Sequence, residues 1–305
     1  MSEPSPTPRR RSRTGAAFLV LLSLAGYLVV QYVSGGAGEP DCRVVAADGR
    51  GEAYEFTPEQ AVNAATITAV GVDRGLPERA VTIALATALQ ESALRNIEHG
   101  DRDSLGLFQQ RPSQGWGTPR QIMDPAYAAG IFYAHLEKVP DYTELPLTDA
   151  AQRVQRSGYP LAYAKHEHDA SLLAAALTGR AAATLTCEGR PAGGAAAKGP
   201  DAVRSALVRD FGRDAMAPAG AEVAAEGARG AAGSVVAART SGRTVTVPAG
   251  SRQRGWQLAH WAVANASALR IERVSYAGRE WTAGTTDSEW RPSADSDAVR
   301  IVTAQ

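Results

Sequence analysis

The stretch ATALQESALRNIEHGDRDSLGLFQQRP, residues 86–112, begins inside an apolar helix, passes through a polar turn and ends in a compact apolar segment. Taken as a helix over 78–94, its first part places Ala80, Ala84, Ala88 and Leu94 on the side of Glu91, with Thr87 as the one polar neighbour there. Leu85 and Leu89 occupy the opposite side, so the helix is apolar round most of its girth and reads as buried. A carboxylate has little structural use in such company. Burial raises its pKa by disfavouring the charged form, which suits a proton donor working near neutral pH. Ser92, next in the chain, is a candidate hydrogen-bond partner for that carboxyl or for a bound sugar. The turn His99-Gly100-Asp101-Arg102-Asp103 follows, then Ser104-Leu105-Gly106-Leu107-Phe108-Gln109-Gln110, with Gly106 where a backbone can be approached closely.

Glu91-Ser92 followed by Gly106-Leu107-Phe108-Gln109 resembles the paired Glu-Ser and Gly-Leu-Met-Gln motifs of soluble lytic transglycosylases and goose-type lysozymes. Residues 109–118 (QQRPSQGWGT) and 154–160 (VQRSGYP) are similar to an actinobacterial branch of that lysozyme-like superfamily. The resemblance covers about residues 55–190. It implies a helical domain that cleaves the β-1,4 bond between MurNAc and GlcNAc in peptidoglycan, with Glu91 as acid and then base. It also implies that Phe108 and Gln109 line the cleft, beside Gly106 and Leu107. One departure stands out. The Ala-Tyr-Asn motif of the lytic transglycosylases finds its nearest counterpart in Ala162-Tyr163-Ala164, where alanine stands at the Asn position.

Glycoside cleavage ordinarily divides its work between two carboxylates. Asp101 and Asp103 are the candidates for the second, although acids beside Arg102 in a turn also serve as solvated or capping groups. The lytic transglycosylases, by the same resemblance, dispense with a second acid and use the substrate's own acetamido and 6-hydroxyl groups. Trp116 and Tyr163 are candidates to stack on sugar rings. His166-Glu167-His168-Asp169 has metal-binding residue types, but two histidines two residues apart on a helix face different ways, so it reads as a solvated helix onset. No Gly-rich phosphate loop and no Ser-His-Asp arrangement accompany these residues, and the chemistry expected requires no cofactor and no metal.

Lys plus Arg and Asp plus Glu are each 32, so the chain has no net charge to draw it to nucleic acid. Cys42 and Cys187 bracket the lysozyme-like segment, and in an exported chain that placement implies a disulfide between them. Residues 1–14 read as a basic cytoplasmic tail with Arg9, Arg10, Arg11 and Arg13, and no further charge appears until Glu39. The apolar run 16–33, within a segment taken as 15–34, reads as a single membrane-spanning anchor with the bulk of the chain outside the cell, or as a cleaved signal sequence. The expected partners are thus peptidoglycan glycan strands and the cytoplasmic membrane.

Residues 35–54 read as a linker, 41–56 being polar and irregular. Helices are expected from Thr57-Pro58, from Pro77-Glu78, from Asp124-Pro125, from Thr148-Asp149 and over 163–177, with no strand pattern between them. Residues 191–243 are Ala/Gly-rich and read as a second linker, with a short helix at 201–211. From 244 to 305 an α/β pattern returns: a strand at Val245 and Val247, a helix over 257–269, a strand over 271–276 and a last strand over 298–302. Gly255-Trp256, residues 262–266 and 278–281 and Trp290-Arg291-Pro292 resemble the C-terminal module of some actinobacterial wall proteins, a module related to zinc-dependent peptidoglycan peptidases. His260 is the one histidine there, too few for a zinc site, so the module reads as non-catalytic. The expectation is therefore a mainly α chain: a lysozyme-like helical domain, a small α/β module and an N-terminal transmembrane helix. The competing reading is a non-catalytic, membrane-anchored scaffold that binds peptidoglycan without cutting it.

Overall fold

Cys42–Val44 (β1) runs antiparallel to Tyr54–Phe56 (β2) and to Leu185–Cys187 (β3), giving a sheet of order β2-β1-β3. Cys42 and Cys187 face each other in the β1–β3 register and are joined by a disulfide, as their placement implied. The computed structural model describes residues 42–51, 53–157, 161–189, 199–212, 239–284 and 289–304, all within one unit spanning Pro40–Gln305.

Thr57 starts the first helix, Pro58–Asp73 (α1), with a capping box: its hydroxyl accepts from the Gln60 amide, and the Gln60 side chain accepts from Thr57 N at 2.7 Å. Then come Glu78–Ser92 (α2), the single turn Pro119–Ile122 (α3), Pro125–Leu136 (α4), Leu147–Gln155 (α5) and Glu167–Leu177 (α6). α2 packs on α6 and α1, and every residue from Ala80 to Leu89 is buried, as its all-round apolar surface requires. Gly71 lets α1 and α4 approach closely: a Cβ there would lie 2.7 Å from the Tyr133 hydroxyl, which donates to Ile67 O at 3.0 Å.

Gly199–Phe211 forms α7 inside the segment expected as a linker, while the Ala/Gly-rich residues 191–198 and 213–238 lie outside those described. Beyond them stand Arg239–Ser241 (β4), Thr244–Pro248 (β5), Arg252–Ala264 (α8), Ala266–Leu269 (α9), Ile271–Tyr276 (β6), Arg279–Thr282 (β7), Arg291–Pro292 (β8) and Ala298–Thr303 (β9). The strands make one antiparallel sheet of order β4-β5-β9-β6-β7-β8.

α8 joins the two halves. It packs on β6 and β9 from one side and on α6, α1 and β3 from the other, and Gly255 to Ala264 are all buried. His260, fully buried on α8, has its Nδ1 2.7 Å from Ala176 O, while Thr184 N–H donates to its Nε2 at 3.3 Å. Both ring nitrogens are thus spent between α6 and β3. Two tryptophans of the C-terminal sheet region reach β3: Trp281 Nε1 donates to Cys187 O (3.0 Å) and Trp290 Nε1 to Leu185 O (2.9 Å). Trp261 Nε1 donates to the buried Asp210 of α7 at 2.8 Å.

The expectation of a mainly α chain is overturned. Two antiparallel sheets accompany the helices: β1 and β2 form within residues 41–56, expected to be irregular, and the region expected to be all helical contributes β3. Strands of three residues are too short for a period of two to register, and their pairing joins segments far apart in the chain. The N-terminal transmembrane helix of the same expectation falls on residues outside those described; among the described residues no helix is long and apolar enough to cross a membrane.

Burial lowers the pKa of His260 from 6.5 to about 4. Between those values the unfolded chain takes up a proton that the folded chain refuses. Stability is therefore flat above the unfolded pKa and falls as pH drops toward 4. Urea unfolding should lose about 2 kcal/mol more between pH 7 and pH 5 in the wild type than in His260→Gln. Parallel pH dependence in the two proteins would mean that the ring is protonated when folded.

Candidate active site

α2 ends at Ser92 because the next two residues leave the helix. Ala93 and Leu94 both adopt left-handed backbone (φ 52° and 58°), and α1 takes up their carbonyls: Gln60 Nε2 donates to Ala93 O and Asn63 Nδ2 to Leu94 O, each at 2.8 Å. Glu91 is thereby fixed on the final turn, half-buried. Ser92 is placed differently from its expected part in the chemistry. It is buried, and its hydroxyl lies 3.1 Å from Ala88 O and 2.8 Å from Leu107 O, binding the helix end to the apolar segment rather than to the carboxyl or to a sugar.

That segment is a tight hairpin. Leu105 and Gln110 exchange backbone hydrogen bonds at 2.9 and 3.0 Å around the loop Gly106-Leu107-Phe108-Gln109. Gly106 has φ 74°, and a Cβ on it would lie 2.8 Å from Ile122 O, so the loop closes on glycine for both conformational and steric reasons. Leu107 and Phe108 are fully buried, Phe108 stacking on Phe132 of α4 at 4.6 Å. Gly106, Leu107 and Phe108 therefore build the wall from behind, whereas Gln109 lines the cleft itself.

Tyr163 likewise stands elsewhere than a sugar-stacking role would require. It is fully buried, and its hydroxyl donates to Glu91 Oε1 at 2.6 Å. Gln155, at the end of α5, adds a side-chain hydrogen bond to Glu91, and its Nε2 donates to Phe108 O at 2.8 Å. Burial nevertheless outweighs these two bonds, and the Glu91 carboxyl is held above its ordinary pKa. Tyr163 is raised in turn by burial and by the acid it touches, so it stays a neutral donor. Tyr163→Phe keeps the ring and removes a bond that favours the carboxylate. The Glu91 pKa should rise further, moving the alkaline limb of a Glu91-dependent pH–rate profile to higher pH; a shift to lower pH would contradict the assignment.

Glu91 opens on a cleft of about 880 Å³. Trp116 lines it and stacks on His135 at 4.4 Å, leaving the indole half-buried beside the groove. Asp101 lines it too, exposed, with Arg102 at 3.9 Å. Asp103 is committed elsewhere: Ser113 N–H and Arg111 Nε donate to it, each at 2.8 Å, and with the Ser113 side chain they hold its carboxyl far below the usual range. His166 meets Gln90 at 3.2 Å, Glu167 takes Arg79 at 2.7 Å, and His168 is exposed. Among the described residues no three potential metal ligands converge.

The model of the family described as "VldE, C-terminal domain" matches residues 201–300. The VldE match starts within α7 and takes in the six-stranded sheet as far as β9, leaving Glu91 and its cleft outside. No curated protein matches the chain.

Gln155, Ser157 and His135 escaped the sequence reading as site residues. Gln155 and Ser157 belong to the 154–160 motif, and both act on the acid's surroundings, Ser157 through a side-chain hydrogen bond to Tyr163. Gly158, Tyr159 and Pro160, the rest of that motif, lie outside the described residues.

Proposed function

We propose that the chain cleaves peptidoglycan glycan strands at the β-1,4 bond between MurNAc and GlcNAc, with Glu91 as proton donor. One observation carries the reading: a carboxyl kept partly dry, braced by Tyr163 and open to a long groove. A raised pKa supplies the proton that the leaving oxygen needs. Glu91, then ionised, takes a proton from the attacking hydroxyl. Asp103 is bound to Arg111 and Ser113, and Asp101 is exposed to water, so neither is preorganised as a second acid. That favours attack by the substrate's own 6-hydroxyl and an anhydro product. The disulfide fits an oxidising compartment outside the cytoplasm, where this substrate lies.

Incubation of the full chain with insoluble cell walls should release soluble fragments whose mass shows anhydro ends. Reducing ends in their place would indicate water as the nucleophile, and no release would remove the cleavage reading. Ala164 favours a second reading: being exposed and apolar, it offers no amide to a sugar at the position where the related motif has Asn. On that reading the groove grips glycan without cutting it, and the chain would pull down on insoluble walls with no glycan cleaved.

A further inference from the structure

The chain is neutral overall, but the cleft is not. Arg102, Arg111, Lys138, Arg153 and Arg156 line it, against the two acids Glu91 and Asp101. Arg111 is neutralised by Asp103 and Arg102 faces Asp101. Lys138, Arg153 and Arg156 are exposed and make no ion pair among the described residues. Their positions come from two elements: Lys138 follows α4, and Arg153 and Arg156 lie on α5 and at its end. His135, under Trp116, registers the field: burial lowers its pKa, and Lys138 and Arg156 lower it further. A focused positive wall beside a stacking aromatic draws an anionic ligand with ring faces.

We propose that this wall makes the cleft selective for saccharide strands whose ring substituents carry free carboxylates, over strands with the same glycan backbone whose carboxylates are blocked. The inference rests on the glycan reading of the cleft, but it concerns binding and is separable from cleavage. The full chain bearing Glu91→Gln would be titrated with soluble peptidoglycan strands, intact and with their peptide carboxylates converted to methylamides. Blocking should weaken binding roughly tenfold, as expected for two or three exposed charge pairs. The difference should shrink between about 50 mM and 500 mM salt. Arg153→Gln with Arg156→Gln should shrink the preference toward what Lys138 alone supplies. Equal affinity for the two strands overturns the proposal, whatever the fate of the arginine variants. So does an oligothymidine binding as tightly as the carboxylated strand, which would make the wall a general polyanion site. If the wild type fails to cleave while the preference persists, only the cleavage reading falls; if it cleaves blocked and intact strands alike, only the selectivity falls.

Discussion

Glu91→Gln should reduce release of soluble fragments from cell walls by about 10³-fold, the usual scale for removing a positioned proton donor. The substitution keeps the shape and still accepts the Tyr163 hydroxyl, so the protein should remain folded. Its stability should move the opposite way to its activity. An acid whose pKa is raised by folding is held against its preference for water once pH exceeds its unfolded pKa, so folding then keeps a proton that the unfolded chain loses. Removing that acid should leave stability little changed in acid and raise it at neutral pH and above. A variant that is both inactive and less stable at pH 8 would place Glu91 among structural residues. Undiminished release would exclude it from the mechanism.

Replacing Cys42 and Cys187 together by alanine should cost about 5 kcal/mol, because the bridge closes a loop between residues 145 apart and so confines the unfolded chain. For a chain of this size that corresponds to a fall of about 10 °C or more in Tm. The loss is structural as well as entropic. β3, which carries Cys187, also receives the indoles of Trp281 and Trp290 and the His260 contact through Thr184 just before it. Loosening β3 therefore loosens the C-terminal sheet, and a single cooperative transition at lower temperature is expected. Two separated transitions, with the first unchanged in position, would show that the halves unfold independently of the bridge.

Glu91, the start of its helix at Pro77-Glu78 and the helix onset at Thr57-Pro58 were legible in the sequence because each rests on neighbours within a few residues. A 3.6-residue apolar period and a proline at the helix start are local signals. The same holds for Gly106, whose missing side chain, the property that permits close approach, belongs to one residue. What escaped was set by contacts between distant parts of the chain. Tyr163 looked like a sugar platform, yet it is buried behind Glu91, 72 residues away, with its hydroxyl on the acid. Ser92 sat beside the acid in sequence but turns to Leu107 O across the hairpin. The three-stranded sheet arises from pairing of residues 42–44 with 54–56 and with 185–187, for which no local period exists. Charge followed the same division: the composition fixed a net of zero, and only the packing of α4 and α5 gathered Lys138, Arg153 and Arg156 along one wall. Sequence alone thus determined which residues could donate a proton, bend a loop or cap a helix, since those are properties of a side chain and its near neighbours. Tertiary structure decided which of them meet, and how dry the acid is kept, since burial and pairing belong to the space between elements.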